Sequence, residues 1–128
     1  MRKLTWNCDT KGCYHDKACP KLGLFDECFP GKIGMGDVDG IVEVNGNFLI
    51  LEWKAFTSEI PRGQELMFER LTALSTNILV VVVSGDPETM EVRSYRHIWR
   101  GKVWAAVDTD LDGLKERIEK WVEKVKWG

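Results

Sequence analysis

Asp39, Glu52 and Lys54 are the residues whose types and spacing suit phosphate chemistry. They bracket a stretch that reads as two strands around a tight turn: Ile41-Val42-Glu43-Val44, then Asn45-Gly46, then Asn47-Phe48-Leu49-Ile50-Leu51-Glu52-Trp53-Lys54. Asn-Gly between apolar runs signals a hairpin, because a type I′ turn needs positive φ at both central residues. A two-residue turn here sets Asp39 opposite Glu52, and Asp37 opposite Lys54. Directly opposed residues share a face, with Cβ atoms roughly 4.5–5.5 Å apart. Two carboxylates so placed repel unless a proton or a cation lies between them. The flanking runs are apolar on both faces, as in a covered strand, which raises the cost. Mg²⁺ answers it, since this hard cation takes carboxylate oxygens and keeps waters for a phosphate substrate. An odd-length turn would send Asp39 and Glu52 to opposite faces, unless a bulge compensated.

Asp39, a strand, a short turn, and Glu52-Trp53-Lys54 closing an apolar strand resemble the PD-(D/E)XK nuclease superfamily, in its small RecB-like or Holliday-resolvase-like form. The likeness spans about Lys32 to Gly85, and Val38-Asp39 stands where the superfamily name has Pro-Asp. The resemblance implies that Asp39 and Glu52 bind Mg²⁺ or Mn²⁺, with the main-chain carbonyl of Trp53 as a further ligand. It implies that Lys54 positions or polarises the attacking water. Asp37 competes with Asp39 for the first position. The superfamily's opening helix often lends another glutamate, for which Glu27 and then Asp26 are the candidates here. Gly63-Gln64 resembles the glutamine of RecB-like nucleases, so Gln64 joins the catalytic set; their tyrosine has no counterpart, Phe68 standing four residues on.

All four cysteines, Cys8, Cys13, Cys19 and Cys28, precede the hairpin, with His15 among them. In a reducing compartment such clustering reads as a metal site rather than as disulfides. Structural Zn²⁺ on four thiolates is expected, with His15 able to replace one. An iron–sulfur cluster is the alternative; RecB-like relatives that carry one place cysteines on both sides of the nuclease core, which is not the arrangement here. Residues 1–31 are therefore read as a Cys-rich metal-binding segment of one domain spanning 1–128.

The elements that position these residues follow in order. Pro61 suits the first turn of a helix running to about Thr76, with an apolar stripe of Ile60, Met67, Leu71 and Leu74 and with Gln64 on the same stripe. Asn77 to Gly85 reads as a buried strand. Strand, helix, strand implies a right-handed crossover and parallel pairing with Phe48–Lys54. Thr89 to Ile98 and Lys102 to Val107 read as strands joined at Arg100-Gly101. They carry arginines, Lys102, Tyr95, His97, Trp99 and Trp104, a pattern able to track a phosphate backbone but also that of an ordinary hairpin with one packed face. A last amphipathic helix is expected from Asp110 to about Lys126, capped by Thr109, with Leu111, Leu114, Ile118, Trp121 and Val125 toward the core.

The expected architecture is α/β, a mixed central sheet with flanking helices, and the resemblance makes it a restriction-endonuclease-like core. The chain has 128 residues, 44% hydrophobic and 30% charged, with a formal net charge of −2. That balance excludes a globally basic nucleic-acid binder and leaves local patches for any DNA contact. No apolar run approaches the roughly 20 residues of a membrane span, and Met1 to Trp6 lacks the apolar stretch of a signal peptide. A cytoplasmic, Mg²⁺-dependent nuclease acting on DNA is the expectation. The alternative is a non-catalytic nucleic-acid- or protein-binding module on a nuclease-like scaffold with a zinc knuckle.

Overall fold

The computed structural model describes residues 21–36, 38–56 and 58–127. The chain divides into two units, 1–36 and 37–128. In the first, Leu22–Cys28 forms a 3₁₀ helix that ends where the Phe29 amide donates to the Asp26 carbonyl at 3.2 Å.

The second unit opens with the hairpin. β1 is Gly40–Val44 and β2 is Asn47–Lys54, antiparallel, with Val44 facing Asn47 and Gly40 facing Leu51. Asn45 and Gly46 have φ of 54° and 82°, the left-handed pair that a two-residue type I′ turn requires. The Gly46 amide donates to Glu43 Oε2 at 2.6 Å, tying the turn to β1.

Helix α1 (Arg62–Ala73) then carries the chain to β3 (Ile78–Gly85), which pairs parallel with β2. The β-branched run from Val80 to Val83 suits a strand covered on both sides, and all four side chains are buried. β4 (Val92–Trp99) returns antiparallel to β3, and β5 (Lys102–Val103) and β6 (Val107–Asp108) both pair with β4. The result is a mixed six-stranded sheet in the order β1-β2-β3-β4-β5, with β6 beside β4. Helix α2 (Leu111–Val125) ends the fold.

Alternation along the strands divides the core in two. Leu49, Leu79, Val81 and Val83 pack with Leu114, Trp121 and Val125 of α2. Ile50, Val80, Val82 and Ile98 pack on the other face with Phe68 of α1. Among the described residues no helix is long and apolar enough to cross a membrane.

Three expectations change. The inward side of α1 carries Phe68 and Thr72, both fully buried, whereas Met67 and Leu74 are 39% and 79% exposed. Ile60 lies before the helix, so counting helical turns from it misplaces the stripe. The cap of α2 is Asp110, whose Oδ1 accepts from the Gly113 amide at 2.8 Å, not Thr109. The expected strand from Lys102 to Val107 is two short strands, with Trp104 to Ala106 between them outside the ladder.

The β3–β4 register slips at Ser84/Gly85. There the Gly85 carbonyl accepts the Trp53 indole N–H at 3.1 Å. A Cβ on Gly85 would lie 2.6 Å from Trp53 Cζ2 and closer still to the Glu91 carbonyl oxygen. The ring is held by its own hydrogen bond and cannot withdraw without losing it. Gly85→Ala should therefore destabilise the fold by about 1–3 kcal/mol, read as a lower urea midpoint, whereas Gly40→Ala, where a Cβ meets nothing within 4 Å, should shift the midpoint much less.

Candidate active site

Glu52 and Lys54 are two apart on β2 and so project from one face, the face that Ile50 shares with α1. Glu52 is 5% exposed and is flanked on β2 by Leu51 and across on β3 by Val82. Lys54 Nζ lies 3.2 Å from Glu52 Oε1, and its own side chain keeps 21% exposure. Glu52 Oε2 is buried with no hydrogen-bond partner among the described residues. Buried carboxylate oxygens are seldom left so. One oxygen is paired with a lysine, and the other has its hydrogen-bonding capacity unmet.

The β1–β2 ladder stops at Gly40–Leu51, and Asp39 lies in a bend one residue beyond it. Its Oδ2 accepts the Trp53 amide N–H at 2.6 Å. The side chain thus takes over the edge of β2 where backbone pairing ends, next along the chain from Glu52. The N–H and C=O of a strand residue leave by the same edge, so the Trp53 carbonyl leaves on the Asp39 side.

Gln64 stands in the first turn of α1, half-buried, with Oε1 buried and unpartnered. It lies one turn before Phe68, which packs on the Glu52 face of the sheet. Past the carboxyl ends of β2 and β3 is a cleft of about 320 Å³, lined by Lys54, Ser84, Ser94, Arg96 and Glu65 among others. Ligands of parallel α/β sheets bind at such carboxyl ends. Arg96 enters because it faces Val82 across β3–β4. In the sequence Arg96 is only one of several basic residues of a hairpin; choosing its face requires the register of β4 on β3.

Other candidates lie elsewhere. Arg62 is held by Glu65 and Glu69 rather than free for a phosphate. The basic and aromatic residues of β4 and its neighbours do not form one stripe. Arg93 sits 3.6 Å over the Phe56 ring, Arg100 over Trp99 and Lys102 over Trp104. Asp26 and Glu27 belong to the 3₁₀ helix of the first unit. Asp37, Cys8, Cys13, His15 and Cys19 lie outside the described residues, and Cys28, the one cysteine among the described residues, is exposed. Among the described residues no group of three or more His, Cys, Asp or Glu converges. A cation at Glu52 and Asp39 would therefore complete its shell from the Trp53 carbonyl and water, as Mg²⁺ readily does. Comparison with known families, characterised proteins and solved structures yields no match.

The Glu52–Lys54 pair implies an asymmetry. Lys54→Met strands a buried carboxylate and should cost about 2–4 kcal/mol, below the full cost of breaking a buried pair because Lys54 reaches solvent. Glu52→Gln removes the buried charge and leaves Lys54 free to turn outward, at a cost within about 1 kcal/mol. Urea unfolding in the presence of a chelator measures both, and equal losses would show that the ion pair does not dominate this corner.

Proposed function

We propose that this protein is a Mg²⁺-dependent nuclease of the PD-(D/E)XK type that hydrolyses phosphodiester bonds in DNA in the cytoplasm. The observation that carries this reading is the buried Glu52, with one oxygen on Lys54 and the other without a partner among the described residues, while Asp39 is held by the amide of the adjoining Trp53. Asp39, Glu52 and the Trp53 carbonyl are the groups that would hold the cation. Bound there, Mg²⁺ supplies Lewis-acid polarisation of the scissile phosphate and acidifies the attacking water.

The chain's own residues do the rest. Lys54 donates from Nζ to the attacking water, orienting it, and its charge offsets the negative charge that develops on the phosphate oxygens. Glu52 Oε1 aims Lys54, and the Trp53 amide fixes Asp39, so neither group needs reorganising when substrate arrives. Arg96, in the adjoining cleft, suits a neighbouring phosphate of the strand. Gln64 would steady the site through its free carbonyl oxygen.

Asp39→Asn, Glu52→Gln and Lys54→Ala should each lower the cleavage rate by roughly 10²–10³-fold, as expected for lost transition-state stabilisation, with circular dichroism unchanged. Arg96→Ala should raise KM more than it lowers kcat, because it removes uniform binding. The test is digestion of linear, circular, nicked and branched DNA with Mg²⁺ and with a chelator. Failure to cut any of them would favour the binding-module reading, in which the Glu52–Lys54 pair only neutralises a buried acid.

A structural Zn²⁺ on Cys8, Cys13, Cys19 and Cys28, with His15 as a possible replacement ligand, is the second part of the proposal. The cysteine clustering supports it, with an iron–sulfur cluster as the alternative. Elemental analysis should find about one zinc per chain, and Cys13→Ser should release it and lower the melting temperature. A visible charge-transfer absorption with iron would assign the cluster instead; neither metal would refute the site.

A further inference from the structure

The second cleft of the sheet unit lies on the face opposite Glu52, between the sheet and α2. It encloses about 620 Å³ and is lined by Trp99, Trp104, Trp121, His97, Arg117 and Lys124, together with asparagines and apolar residues. That volume is within the range of small-molecule sites. Its make-up is uneven. Three indoles and two cations converge, and among the described residues no aspartate or glutamate lines the cleft. The chain as a whole is net acidic, so two cations in a cleft without acids are not the average of its surface. Among the described residues, neither Arg117 nor Lys124 forms an ion pair, although α2 carries glutamates that pair with other lysines.

The groups are held in place. Trp99 donates its indole N–H to the Thr76 carbonyl at 2.9 Å, which fixes the ring. The Trp104 amide donates to the His97 carbonyl at 2.8 Å, so Trp104 is anchored at its backbone while its ring stays exposed. Trp121 is buried in the α2 core and offers the cleft a rigid wall. His97 Nε2 is buried with no hydrogen-bond partner among the described residues. Burial, and then the charge of Arg117, hold the imidazole below its ordinary pKa, so near neutral pH the ring is uncharged. A neutral imidazole offers one donor and one acceptor in its plane.

We propose that this cleft binds a nucleotide, its base against the tryptophans and its phosphate on Arg117 and Lys124. The rings select a flat heteroaromatic partner, since base–indole stacking is favourable for any base. The cations select an attached anion, and charge-assisted bonds to phosphate are the stronger kind. His97 Nε2 supplies an in-plane hydrogen bond to the base edge, satisfying the one buried atom here that lacks a partner. An apolar ligand would leave both charges and this nitrogen unmet. A purely anionic one would leave the indoles unused. The shared chemistry, base plus phosphate, can come from a free nucleotide or from one residue of a single strand. The inference does not rest on the proposed catalysis, which uses the other face of the sheet.

The experiment is tryptophan-fluorescence titration of the full chain in the presence of a chelator, which silences metal-dependent cleavage. The probes are deoxyadenosine monophosphate, deoxyadenosine, inorganic phosphate and a short oligodeoxyadenylate. The monophosphate should quench saturably, with deoxyadenosine and phosphate each at least roughly tenfold weaker, one contact class being lost in each. Arg117→Gln and Lys124→Gln should bring monophosphate affinity toward that of deoxyadenosine, and Trp104→Ala toward that of phosphate. All three positions are partly or largely exposed, so circular dichroism should be unchanged; if one variant unfolds, the other two decide. Oligonucleotide binding about tenfold tighter than, and competitive with, the monophosphate assigns the cleft to a strand, and equal or weaker binding assigns it to the free nucleotide. No saturable quenching by any probe, or wild-type affinity in both Arg117→Gln and Lys124→Gln, would overturn the proposal.

Discussion

Positive φ at Asn45 and Gly46 closes the β1–β2 hairpin in two residues, and the parity of that turn governs what each later residue of β2 faces. With side chains alternating at a period of two, a one-residue slip would carry Ile50 out of the α1-side core and Glu52 out of its buried position. The same parity brings Asp39 to the edge of β2 just where the ladder ends, so that its carboxylate meets the Trp53 amide. Everything proposed for this corner depends on that register.

Burying Glu52 is costly, and the fold offsets only half of it. Lys54 covers one oxygen, and nothing in the described chain covers the other. A pair designed only for stability would be satisfied on both oxygens or replaced by apolar residues, which is often neutral or better. Among the described residues this buried carboxylate oxygen stays without a hydrogen-bond partner, close to the end of β2, where Lys54 lines the cleft that also holds Arg96.

The sheet separates two kinds of chemistry. On the α1 side are acids, a lysine and hydroxyls around Lys54; on the α2 side are indoles, a half-buried imidazole and two cations with no ion pair among the described residues. β3 isolates them, being apolar on both faces from Val80 to Val83. Residues of β4 are divided between the two sides by alternation alone, Arg96 and Ile98 to one and Tyr95, His97 and Trp99 to the other. A sequence run that reads as a single basic–aromatic hairpin is in this way divided between the two faces of the sheet.

Local signals determined much of this protein. Asn-Gly dictated the turn, the valine run dictated a doubly covered strand, and strand–helix–strand dictated the parallel pairing, because each depends on near neighbours or on a handedness common to all chains. Asp39, Glu52 and Lys54 could be grouped because a tight turn makes their separation a local matter. Tertiary structure alone decided the rest. The inward side of α1 depends on where the helix starts against the sheet, so Phe68 and Thr72 displaced Met67 and Leu74. The role of Arg96 depends on the β3–β4 register and its slip at Ser84/Gly85. The second cleft joins residues from the β1–β2 hairpin, the α1–β3 connection, β3, β4, the segment after β5 and α2, and no periodicity within one segment encodes an arrangement that exists only when all of them pack.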